Sequence, residues 1–65
     1  MTKKEAIYLM KQGVKITHKY FSKDEWMTMD KFDNIILEDG VIIGSYDFWS
    51  YRREDYWNDG YKIYK

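Results

Sequence analysis

Two segments of the sequence interleave cations with aromatic rings, a pattern suited to a ligand that is both flat and anionic. The first is Lys15–Phe21 (KITHKYF), where two lysines lie among a histidine, a tyrosine and a phenylalanine. The second is Phe48–Arg53 (FWSYRR), which ends in two guanidinium groups. A nucleotide requires both features, because its base stacks on a flat ring and its phosphates need fixed cationic donors. The two segments therefore predict a site for a nucleotide-like ligand.

The same residue types have structural roles that compete with this interpretation. Arg52 and Arg53 come at the end of a predicted short helix, where cations stabilise the C-terminal dipole. Both roles stay open for these two residues. The three tryptophans, taken singly, are predicted to lie in the core, since each indole buries a large apolar area. They are Trp26, Trp49 and Trp57.

The sequence lacks the patterns that carry catalysis and metal binding. It has no glycine-rich phosphate loop, no nucleophile elbow and no cysteine. His18 falls on the same predicted strand face as Val14 and Ile16, where a packed or hydrogen-bonded histidine is the usual finding. The neighbouring acidic pairs lie in turns and point apart, which makes them poor candidates for a coupled acid–base pair. We therefore predict a non-enzymatic protein with no cofactor and no metal site.

The N-terminal helix and the strand after it are predicted to form the nucleus of the fold. Thr2 and Glu5 have the spacing of a capping box, in which each side chain bonds a free backbone N–H at the helix start. Apolar residues then recur at helical spacing as far as Gly13, which suits the positive φ of a helix C-terminus. From Val14 to Tyr20 the apolar period changes to two, which predicts a strand.

The rest of the sequence has the pattern of short strands separated by turns. Ser22–Glu25 resembles a second capping box and is predicted to start a single helical turn. Two β-branched runs flank Asp39-Gly40 and predict a hairpin. Ser45 is predicted to cap a short helix from Tyr46 to about Arg53. The remaining strands are predicted at Trp26–Met29 and Tyr61–Tyr64.

These elements predict an α+β fold in one domain, residues 1–65. The N-terminal helix is expected to pack on a small, mostly antiparallel sheet of about four or five strands, because the connections are short. The short second helix is expected to precede the last strand.

Aromatic residues make up 20% of the chain, with three Trp, seven Tyr and three Phe. A domain of this size buries only about 60% of the surface of its unfolded chain. Each large ring buries on the order of 150–250 Å², so the thirteen rings exceed what one such domain hides. Some rings are therefore expected to face a ligand or a partner subunit, and we predict a homo-oligomer.

The net charge is zero, but the charges are unevenly spread along the chain. Residues 1–23 hold six lysines and one glutamate, a net of +5, whereas residues 24–65 hold five basic and ten acidic residues, a net of −5. Two interpretations stay open: a segregated solvated surface, or a polar molecule that packs head to tail or presents a basic face to an anion. The net charge of zero argues against a nucleic-acid partner.

No apolar run approaches a membrane span and no signal peptide is evident, so a soluble cytoplasmic protein with no membrane partner is expected.

Four different stretches follow one another along the chain: MKQGVKITHKYFSKDEWMTM, then EDG in the hairpin, then FWSYR and WNDGYKIY. With these the sequence resembles small early proteins of tailed bacteriophages, and its layout is similar to that of the phage Thoeris anti-defence sponge family. Glu5-Ala6, Leu9, Gly13-Val14 and Trp57–Gly60 fit that family's scheme of a helix, a strand and a short Trp-containing strand at the end. His18–Phe21 stands where the family has Arg/Lys-Gly-Trp after the first strand.

The resemblance implies a homo-oligomer in the host bacterial cytoplasm that sequesters a cyclic nucleotide signal of bacterial immunity between its subunits. The ligand-binding residues that it implies, with Arg53 added from the residue pattern, are His18, Lys19, Tyr20, Trp49, Arg52 and Arg53. The first hypothesis is thus a non-enzymatic, phage-type binding protein that counters host defence by capturing a nucleotide-like ligand. The alternative is a protein–protein inhibitor that blocks a host defence effector such as a CRISPR nuclease or a restriction enzyme. A third is a structural or regulatory phage protein without an immune role.

Overall fold

Two helices, five short strands and one turn of 3-10 helix make up the computed structural model, which describes all of residues 1–65. The helices are α1 (Lys3–Met10) and α2 (Ser45–Ser50). The 3-10 turn is Asp55–Trp57. The strands are β1 (Ile16–His18), β2 (Met27–Met29), β3 (Ile35–Leu37), β4 (Ile42–Ile43) and β5 (Tyr61–Ile63).

The five strands form one sheet in the order β4-β3-β2-β1-β5, and every neighbouring pair is antiparallel. The last strand thus returns to lie beside the first, with His18 opposite Tyr61 and Thr17 opposite Lys62. The predicted α+β fold is confirmed, including the short helix before the last strand. The predicted hairpin is also confirmed, since β3 and β4 pair around Gly40, whose φ is 88°.

The local signals at the start of the chain form as predicted. The Glu5 N–H donates to Thr2 Oγ1 at 3.2 Å, and the Thr2 N–H donates to Glu5 Oε1 at 2.8 Å, which completes the capping box. Gly13 ends the turn after α1 with a φ of 85°, a conformation that costs glycine little.

The core lies between one face of the sheet and the two helices. Ala6 and Met10 of α1 and Phe48 of α2 are buried against side chains of the central strands. Those strand residues are Ile16, Met27, Met29 and Ile35, with Tyr61 from β5. No helix of this protein has both the length and the apolar composition needed to cross a membrane.

The first strand is shorter than the sequence predicts. Its pairing ends at His18, because the Phe21 N–H donates to the His18 carbonyl at 2.9 Å and closes a turn. Tyr20 therefore lies in this turn rather than on β1. Ser22–Glu25 likewise forms a turn and no helix. The turn is stabilised by the Ser22 N–H, which donates to Glu25 Oε1 at 2.9 Å.

The second helix is displaced from its predicted bounds. Gly44 occupies the N-cap position, and Ser45 is already helical. The Ser45 hydroxyl donates to the Asp33 carbonyl in the loop before β3 and so caps nothing. Because α2 ends at Ser50, Arg52 lies beyond it, in the segment that leads to the 3-10 turn.

Candidate ligand-binding site

A hollow of about 510 Å³ lies between the start of α1, the exposed side of α2 and the segment that follows α2. We call it the Trp49 hollow. It brings together three of the predicted ligand-binding residues, Trp49, Arg52 and Arg53. The other residues that line it are Lys3, Ser45, Tyr46, Ser50 and Asn58. Three cations and no carboxylate side chain face this space, so its chemistry suits an anion.

Trp49 is half-buried and belongs to both the core and the hollow. Its ring meets Phe48 edge-on, with the ring centroids 4.9 Å apart, and Tyr61 at 6.2 Å. The Lys3 ammonium lies over the same indole, 4.4 Å from the ring centroid. The core role and the ligand role predicted for tryptophan are therefore compatible at this position.

Arg52 is held in place by aromatic rings. Its guanidinium carbon lies 4.0 Å from the centroid of Phe48 and 5.4 Å from that of Trp57. Nη1 donates to the Phe48 carbonyl at 3.2 Å, in the last turn of α2, as the helix-stabilising interpretation predicts. Nε is buried without a hydrogen-bond partner. Arg52 is thus a fixed cation at the wall of the hollow, while Arg53 is exposed.

His18 is buried, and both of its ring nitrogens are engaged within the protein. The Tyr20 N–H donates to Nδ1 at 3.1 Å, so the proton of the neutral ring lies on Nε2. Nε2 lies 2.7 Å from the Asp59 carbonyl and 3.2 Å from that of Tyr56. The imidazole therefore connects β1 to the segment before β5, and the structure does not place it in the Trp49 hollow.

Lys19 and Tyr20 also lie outside the Trp49 hollow. Both side chains are exposed, and the Tyr20 ring packs edge-on against Tyr56 with the centroids 5.1 Å apart. Lys19 lines a second, larger hollow beside β5, together with His18. Of the six predicted residues, Trp49, Arg52 and Arg53 thus line the Trp49 hollow, His18 and Lys19 line the second hollow, and Tyr20 lines neither.

Five lining residues were not predicted as ligand-binding residues, and two of them, Lys3 and Asn58, lie far from each other in the sequence. They meet because the Lys3 N–H donates to the Asn58 carbonyl at 3.0 Å, which ties the start of α1 to the turn before β5. No local sequence pattern predicts this contact, because the two residues lie near opposite ends of the chain. The sequence pattern places Lys3 on the polar face of the N-terminal helix, which predicts only a solvent-exposed side chain.

The carboxyl groups with shifted pKa values accept hydrogen bonds at the start of α1 and in turns, and not in the Trp49 hollow. A hydrogen bond from the Thr2 N–H holds the pKa of Glu5 below its ordinary value of 4.5, and one from the Asn34 N–H does the same for Asp30, from 3.8. Neither residue lines the hollow. No group of three or more His, Cys, Asp or Glu side chains is placed to hold a metal ion.

No family model, no curated protein and no solved structure matches this chain. The convergence of Trp49, Arg52 and Arg53 with Lys3 is therefore the observation on which a functional argument for this chain can be built.

Proposed function

We propose that this chain is a small, non-enzymatic binding protein of the phage type that captures a nucleotide-like anion in the Trp49 hollow and thereby counters host defence. The observation that carries the proposal is the convergence of one indole and three cations on a space with no carboxylate side chain. Its volume of about 510 Å³ lies within the range of small-molecule sites, about 300–1,000 Å³.

The contacts suggest a division of roles within the hollow. The base of the ligand stacks on the Trp49 indole, where it replaces the Lys3 side chain that now lies over the ring. The released ammonium of Lys3 and the exposed guanidinium of Arg53 then pair with the phosphates. Arg52, already fixed between two rings, adds positive potential without having to be ordered on binding.

The two serine hydroxyl groups in the hollow already donate to backbone carbonyls of the protein. The Ser50 hydroxyl donates to the Asp47 carbonyl at 2.7 Å, and the Ser45 hydroxyl donates to the Asp33 carbonyl. The other side chains that line the hollow include no histidine and no carboxylate that would activate a hydroxyl as a nucleophile. The biological setting, capture of a nucleotide signal of bacterial immunity in the host cytoplasm, comes from the resemblance to phage proteins.

Calorimetric titration with ADP-ribose and cyclic ADP-ribose tests this proposal. We expect heat from at least one of the two, and about ten-fold or more weaker binding in the double variant Lys3→Gln/Arg53→Gln, since each charge-assisted contact is worth roughly 1.5–3 kcal/mol. The double variant Lys4→Gln/Lys31→Gln removes the same net charge outside the hollow and should bind like the wild type. A folded sample that releases no heat with either nucleotide would remove ligand capture as the function.

A second candidate function is favoured by exposed tyrosines next to the hollow. Tyr46 is 80% exposed and Tyr51 is 82% exposed, and tyrosine and arginine are enriched at the centres of protein interfaces. On this alternative the chain inhibits a host defence effector, such as a CRISPR nuclease or a restriction enzyme, by direct contact. One stoichiometric partner recovered from bacterial lysate by the wild type, and lost with Tyr46→Ala/Tyr51→Ala, would favour the inhibitor.

A further inference from the structure

The second hollow, which we call the lysine cleft, lies along β5 and the turn that follows β1. Its volume is about 830 Å³. Four lysines line it, Lys19, Lys23, Lys62 and Lys65, and none of its lining residues is acidic. It shares no lining residue with the Trp49 hollow.

The sheet topology brings these lysines together from two segments that are about 40 residues apart in the sequence. Lys62 lies on β5 directly opposite Thr17 of β1. Lys19 is positioned by its N–H, which donates to the Gly60 carbonyl at 3.1 Å. Lys23 sits in the turn that Glu25 closes. The backbone around the cleft is thus fixed by hydrogen bonds, while the ammonium groups are exposed.

None of the four lysines forms an ion pair within the protein. The two ion pairs of the structure are the N-terminal ammonium with Asp59, at 3.6 Å, and Lys11 with Asp33, at 4.0 Å. The hydrogen bond from the Gly60 N–H, and then the N-terminal ammonium and Lys19, hold the pKa of Asp59 below 3.8. Asp59 itself does not line the cleft. Like charges along a cleft that no carboxylate side chain lines repel one another, and a bound anion relieves that repulsion.

The donors in the cleft favour several separated negative charges over a single one. Lysine ammonium groups act as point charges on flexible stems, whereas a lone carboxylate or phosphate is matched best by the fork of an arginine. The Thr17 hydroxyl is already used, since it donates to the Glu25 carbonyl at 2.8 Å. The apolar part of the wall is supplied by Met1, Phe21, Tyr61, Ile63 and Tyr64.

We infer that the lysine cleft is a second anion-binding site, which takes a compact ligand carrying about three or more linked phosphate groups. The proposal does not rest on nucleotide capture in the Trp49 hollow. A compact ligand is favoured over a long nucleic-acid strand, because residues 24–65 carry ten acidic side chains that repel a phosphate backbone extending beyond the cleft.

Titration with inorganic tripolyphosphate at low salt tests the inference, with the double variant Lys23→Gln/Lys62→Gln and the control Lys4→Gln/Lys31→Gln. The two variants have the same net charge, and all four lysines are exposed, so the fold should survive in both. We expect the cleft variant to bind about ten-fold more weakly and the control to change by less than about two-fold. Equally weakened tripolyphosphate binding in the cleft variant and the control, or no binding by the wild type, would contradict the proposed site.

Two further arms separate this site from its alternatives. The Trp49-hollow variant Lys3→Gln/Arg53→Gln should bind tripolyphosphate like the wild type, and a loss equal to that of the cleft variant would overturn the assignment to the lysine cleft. A ten-nucleotide thymidine strand should bind more weakly than tripolyphosphate. Tighter binding of the strand, lost in the cleft variant, would overturn the compact ligand in favour of single-stranded nucleic acid.

Discussion

His18 shows how one residue with catalytic potential is used structurally in this protein. Its ring is 2% exposed and joins three backbone groups across the junction of β1 and β5. Gly60 is required beside it, because its φ is 92° and an added Cβ would lie 3.1 Å from His18 Nε2. A packed imidazole is what the position of His18 on an apolar strand face predicts. Its bonds to Tyr56 and Asp59 depend on contacts that no local sequence pattern reveals.

Tyr61 is the residue whose titration should be visible in the stability of the protein. Burial raises the pKa of its hydroxyl from 10.0 to about 12, and that hydroxyl donates to the Trp57 carbonyl at 2.5 Å. Because the folded-state pKa is the higher one, the stabilisation is fully present below pH 10 and is lost as the pH rises through 12. We expect Tyr61→Phe to lose less unfolding free energy than the wild type over this range, as measured by urea denaturation at several pH values.

The matched control for Tyr61 is Tyr51→Phe, since the Tyr51 side chain is 82% exposed. This variant should keep the pH dependence of the wild type. If the unfolding free energies of the wild type and Tyr61→Phe change with pH in parallel, the buried hydroxyl is not linked to stability.

At the scale of elements, α1 depends on its capping box more than a longer helix would. It has eight residues and supplies Ala6 and Met10 to the core. Thr2→Ala removes the oxygen that accepts from the Glu5 N–H and should cost about 1 kcal/mol of unfolding free energy. Thr2→Ser keeps the oxygen and should stay close to the wild type in urea denaturation. A serine variant as damaged as the alanine variant would mean that the cap is not the source of the effect.

At the scale of the whole molecule, the exposed rings do not result from loose folding. The accessible surface is 4599 Å², close to the roughly 4,450 Å² expected for a folded chain of this mass. Phe48 and Tyr61 are the only aromatic residues that are fully buried, whereas six others are exposed. These are Tyr8, Tyr20, Phe32, Tyr46, Tyr51 and Tyr56. A well-packed chain of this length has no further interior in which to place them.

The exposed rings lead to a prediction about assembly. We expect light scattering to give a mass above the 8.0 kDa of one chain, because contact between copies would remove ring surface from water. The fraction assembled should rise with protein concentration. A particle of 8.0 kDa at high concentration would refute the homo-oligomer. The exposed rings would then have to contact a partner other than a second copy of the chain.

The sequence alone was enough for features that depend on residues close together in the chain. The capping box of Thr2 and Glu5, the hairpin around Gly40 and the α+β class follow from hydrogen bonds and periodicities that span only a few residues. Part of the site was predictable for the same reason, since Trp49, Arg52 and Arg53 lie within five positions of one another.

Only the tertiary structure decided which distant residues share a surface. Pairing of β5 with β1 brings Lys62 close to Lys19 and connects His18 to the Asp59 carbonyl, and the Asn58 carbonyl holds Lys3 beside α2. These contacts join the two ends of the chain, because the apolar faces of α1, α2 and the sheet are buried only when the last strand returns beside the first. That packing, and not the local pattern of cations and rings, places Trp49, Arg52 and Arg53 at the Trp49 hollow and His18 and Lys19 at the lysine cleft, with Tyr20 at neither.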